Sequence, residues 1–124
     1  DTRFCVHASR VPGERAAANV AFKATDPEKS GLFVGVFAYA SDGEAQRAFL
    51  TAPTVLQCGK NKLDLTPVTG GLAEADESQT YSATTGGFGK LALTTARRGR
   101  FLVIGAGGTA QDALDWTKLT VGRL

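Results

Sequence analysis

Three glycines, Gly105, Gly107 and Gly108, sit in VIGAGGTAQDAL, between an apolar run and a segment with helical signals. Glycines at this spacing are what a dinucleotide-binding turn uses, because the backbone must come close to a pyrophosphate at a helix N-terminus. That chemistry also needs a second parallel strand with an acidic residue. The sequence given ends at Leu124, before such a strand, and the run ahead of the glycines reads as half of a hairpin. The glycines are therefore expected to be a flexible turn that folds the helix back.

Other groups with chemical potential are isolated from one another. His7 is the one histidine, so neither a base for a serine nucleophile nor a usual metal site is supported. Glu74, Asp76 and Glu77 crowd one polar segment, which reads as a solvated loop; a weak calcium site there is the sharper alternative. Paired carboxylates for glycoside hydrolysis would have to stand on separate elements. Arg97, Arg98 and Arg100 flank a tight turn and read as a solvated hairpin tip. No catalytic residue, cofactor or metal is expected, and the chain is not expected to be an enzyme.

Composition sets further bounds. The chain has 124 residues, 43% hydrophobic and 21% charged, which suits one domain with its own core. A net charge of +2 gives no reason to expect nucleic acid or a membrane surface as partner. No run is long enough to span a bilayer; the apolar Leu32 to Ala40 has a strand's length. The sequence has no methionine, so a leader, lipid-anchor linker or larger protein is expected upstream. Its two cysteines, Cys5 and Cys58, are expected to form one disulfide in an oxidising compartment. In the chain-entropy model such a closure contributes at most ~4 kcal/mol. Two buried free thiols are the alternative.

The elements that must position these residues follow from periodicity. Leu91, Leu93 and Thr95 alternate with Ala92, Thr94 and Ala96, and Phe101 to Ile104 is apolar throughout. Arg98-Gly99 between them predicts a hairpin whose second strand is central and covered on both faces. Thr109 and Asp112 form a capping-box pattern opening a helix with Ala110, Leu114, Val121 and Leu124 on its buried stripe. Upstream, strands are expected at Asn19 to Thr25 and Leu32 to Ala40. A helix follows, capped by Ser41 with Glu44, burying Ala45, Ala48, Phe49 and Ala52 and interrupted at Pro53, with a short helical piece to Gln57. Strands at Lys60 to Val68 and Gln79 to Thr85 flank a loop, Thr69 to Ser78. The order ββαββββα predicts an α+β fold, a mainly antiparallel sheet of five or six strands covered by two helices. Both helices are expected on one face, leaving the other face or a sheet–helix groove for a ligand.

A helix ending near a cysteine, then GGLAEADESQTYSA, LTTARRGRFLVIGAGG and a terminal TVGRL, resembles actinobacterial extracytoplasmic sensor-like domains. These are the PknH-type kinase ectodomain and related lipoproteins. The kinase ectodomains typically carry two disulfides, whereas this chain has one cysteine pair. The resemblance implies a non-enzymatic extracytoplasmic binding or sensing module, secreted or anchored to the outer face of the cytoplasmic membrane. It implies no catalytic residue. A protein-interaction or inhibitor domain, and a small hydrolase, are the competing classes. The partner is expected to be a small envelope ligand or a protein, and the chain a monomer. Tyr81 and Trp116 combine an apolar body with a polar tip, and Arg97, Arg98 and Arg100 attract anions, so these five form the expected ligand surface, bordered by Thr69 to Ser78 and Thr84 to Gly89.

Overall fold

A computed structural model describes residues 16–22, 32–55, 57–58, 61–62, 64–85 and 89–124, with side-chain environments for 34–51, 65–83 and 91–124. Cys5 and His7 lie outside the described residues, and so does the Cys5–Cys58 pairing. The elements run β1 (Ala16–Phe22), β2 (Leu32–Ala38), α1 (Asp42–Val55), β3 (Gln57–Cys58), β4 (Asn61–Lys62), β5 (Asp64–Val68), β6 (Glu77–Thr85), β7 (Gly89–Arg98), β8 (Phe101–Gly107) and α2 (Ala110–Val121).

Six strands form an antiparallel sheet in the order β1-β2-β8-β7-β6-β5, and β3 and β4 pair separately. With its two helices this is the expected α+β fold. The apolar runs account for the order. β2 and β8 have too few polar residues to face water on either side, so they take interior places. β5 carries Pro67, which has no N–H for a second ladder, and it sits at an edge.

Alternation sorts the side chains into two layers. Phe37, Leu93, Leu102, Ile104 and Ala106 pack with Ala45, Ala48 and Phe49 of α1. Val34, Ala96 and Val103 pack with Val121 and Trp116 of α2. The helices therefore lie on opposite faces, which corrects the expectation of a single helical face. The cause is in β8: Leu102 to Gly107 are all buried, so both faces of that strand need a cover.

Local signals fared unevenly. Ser41 Oγ accepts from Glu44 N at 3.2 Å, and Thr109 Oγ1 accepts from Asp112 N at 3.1 Å, so both caps form. α1 continues through Pro53 to Val55, because a proline in the last turn forfeits only one hydrogen bond. β1 starts at Ala16, earlier than the alternation suggested, and β6 starts at Glu77, which shortens the preceding loop. On α2 the deepest residues are Ala113, Thr117 and Val121, while Leu124 is exposed. Thr117 is drawn inward because Gly105 faces it: a Cβ at Gly105 would collide with Thr117 Oγ1 and lie 3.2 Å from the Ala113 carbonyl. Gly105 and Gly107 thus belong to β8, not to a turn, and Gly105 permits close helix–sheet approach. The two-residue turn after β7 has Gly99 at φ +58°, as primed hairpin turns require.

Candidate functional site

The ladder partners of β6 and β7 place Ser82 and Ala92 on the α2 side of the sheet, beside Val68 of β5. α2 lies mainly over β7 and β8. Its first turn stops short of the outer strands, and a cleft of about 500 Å³ remains there. Val68, Ala92 and Ala110 give it methyl groups; Thr69, Ser82 and Thr109 give it hydroxyls. Thr109 is held by its cap on Asp112 N, so its oxygen is fixed in place. None of the lining residues is titratable. Such a wall recognises shape, apolar surface and hydrogen-bonding groups without supplying a base or a charge.

The five residues expected to form a ligand surface are not brought together. Tyr81 packs against the α1-side cluster, where burial raises its phenol above the ordinary 10.0. Trp116 packs on the other face, against the cluster of Val34, Ala96, Val103 and Val121. The three arginines also diverge. Arg97 is largely buried, with 12% of its side chain exposed, and its Nε donates to Glu77 Oε2 at 2.8 Å. Its Nη1 donates to the Gly99 carbonyl at 2.8 Å and lies 3.5 Å from Asp76 Oδ2. Arg98 donates to the Val121 carbonyl at 3.0 Å and so caps the C-terminal end of α2. Arg100 lies over the Phe101 ring, 5.2 Å from its centroid.

The acidic segment has a structural occupation as well. Asp76 Oδ2 accepts from Gly99 N at 2.7 Å, and the Asp76 amide donates to the Arg97 carbonyl. Glu77 accepts from Arg97 and, through Oε1, from Gln46 Nε2 of α1 at 3.1 Å. The Arg97 hydrogen bond holds the Glu77 carboxyl below its ordinary value of 4.5, against the opposing effects of desolvation and Asp76. Glu74 lies 3.6 Å from Lys118 on the other face. Among the described residues no three His, Cys, Asp or Glu side chains are grouped to hold a metal ion.

Sequence reasoning anticipated one border of the cleft, Thr69, and identified Thr109 only as a cap. Val68, Ser82 and Ala92 carried no signal, because a cleft wall and an ordinary strand face use the same residue types. The offset between α2 and β5 that opens the cleft is a tertiary distance. In comparison with known proteins, no family model, curated protein or solved structure matches the chain.

Proposed function

We propose that this chain is a non-enzymatic extracytoplasmic ligand-binding or sensing module of an envelope lipoprotein or receptor. Its ligand is small, and it binds in the cleft between the first turn of α2 and strands β5 and β6. The observation that carries this reading is the lining itself, methyl groups beside hydroxyls with no titratable side chain. A site of this kind takes a largely neutral body with hydrogen-bonding groups, such as a sugar or peptide fragment of the cell envelope. The resemblance to extracytoplasmic sensor-like domains points to the same compartment and class. No helix among the described residues is long and apolar enough to cross a membrane.

The test is a chemical-shift titration with soluble muropeptides, using an anionic glycerol-phosphate polymer for contrast. Muropeptides are expected to shift the amides and methyls of Val68, Ala92 and Ala110. Ser82 is exposed, so Ser82→Phe fills the cleft without disturbing the core and is expected to abolish those shifts. Shifts confined to the α1 face, or shifts that survive Ser82→Phe, overturn the site.

A further inference from the structure

The outward face of α2 carries a pattern that ligand binding does not use. Leu119 projects on the side opposite Ala113, Thr117 and Val121 and is 49% exposed. Polar residues normally hold that meridian of a surface helix. Leu119 itself lines an open hollow of about 470 Å³, together with Glu74, Asp115, Lys118, Gly122 and Arg123. A projecting apolar side chain thus stands among charged residues of both signs.

The charges around it read the same in reverse. Asp115 is one turn before Leu119 on α2, and Arg123, just past the helix end, lines the same hollow, so the three lie on one side. A two-fold axis through Leu119, perpendicular to the helix, lays a second α2 antiparallel on the first. Each Asp115 then faces the other copy's Arg123, and the two Leu119 side chains meet at the axis. Gly122 has no side chain to hold the helices apart. Among the described residues the Arg123 side chain has no hydrogen-bond or ion-pair partner. Asp115 Oδ1 accepts from Gln111 Nε2 at 2.8 Å.

We infer that the outward face of α2 is a self-association surface, and that its occupant is a second copy of this chain, paired antiparallel about Leu119. Self-complementarity of one patch is what a two-fold interface requires, and it favours this occupant over an unrelated protein. This proposal departs from the monomer expected from the sequence and does not depend on the ligand reading, since the cleft lies at the other end of α2. One helix face per copy is smaller than the ~800 Å² per partner of a standard interface, so the dimer is weak and concentration-dependent.

Sedimentation velocity over a dilution series up to about 1 mM, a range suited to weak interfaces, tests the inference. The wild type is expected to shift from monomer towards dimer as concentration rises, and less so at high salt. Asp115→Arg and Arg123→Asp each place like charges opposite one another and are expected to remain monomeric. An equimolar mixture of the two variants restores both contacts and is expected to recover the dimer. Misfolded chains would not do this, so the rescue separates lost pairing from lost folding. A wild type that stays monomeric throughout, a dimer unaffected by either variant, or a mixture that fails to associate overturns the inference.

Discussion

At the scale of single residues, Gly105 is the position where the sheet and α2 constrain each other most. A side chain there meets Thr117 Oγ1 and the Ala113 carbonyl, and Thr117 is itself fixed by donating to that carbonyl at 2.7 Å. Gly105→Ala is expected to destabilise the fold by about 1–3 kcal/mol through overpacking. Thr117→Ala removes the first obstruction, and alone should cost about 1 kcal/mol for the lost hydrogen bond. The double variant is therefore expected to be less destabilised than the sum of the singles. Chemical denaturation of all four proteins measures the coupling; strict additivity would mean that Gly105 is not there for close approach. A few residues away the same layer holds Thr80 and Thr94, fully buried, with their hydroxyls 3.0 Å apart. One donates to the other, so both oxygens take part in a hydrogen bond under α2.

Between elements, Arg97 ties together three pieces of chain. It joins β7 to Glu77 of β6 and, through Gln46 on the same carboxylate, to α1. Its contacts with Gly99 and Asp76 close the hairpin tip onto the end of the 69–76 loop. Arg97→Met is expected to cost about 1–3 kcal/mol near neutral pH, towards the lower figure because Glu77 is partly solvated. Acid should remove the same contribution. The folded-state value of Glu77 is depressed, so its stabilisation is present above the ordinary 4.5 and is lost as pH falls through the lower folded-state value. Urea denaturation of wild type and Arg97→Met at neutral pH and near pH 3 is expected to show the gap between them narrowing in acid. A constant gap would mean that packing of the arginine stem, not its pairing, supplies the stability.

For the molecule as a whole, the sheet is protected from its middle outwards. β8 is flanked by β2 and β7 and covered by α1 on one face and α2 on the other. β5 has one ladder partner and borders the cleft. Native-state hydrogen exchange is expected to show the β8 amides opening only with global unfolding and the β5 amides opening locally at much lower free energy. Equal protection across the two strands would contradict this grading. The low-stability edge is also where the proposed ligand sits, so muropeptide binding should slow exchange in β5 and leave β8 unchanged.

Much of the fold was legible because its cues are local. Uninterrupted apolar runs placed β2 and β8 in the interior, Gly99 marked the hairpin, and Ser41 and Thr109 marked the helix starts. Each depends on residues near in sequence, where sterics and short-range hydrogen bonds decide. Tertiary structure alone decided which face each helix covers, because an amphipathic stripe specifies burial without specifying against what. It also turned Gly105 from an apparent turn residue into a contact surface, since the atom that requires a glycine there belongs to Thr117, twelve positions on. The same reason scattered the five residues expected to form one ligand surface. Tyr81 and Trp116 were chosen by type, but strand alternation and helix placement put them on opposite sides of the sheet. The cleft that replaces them is a gap between α2 and β5, and a gap is set by distances between elements that no short stretch of sequence encodes.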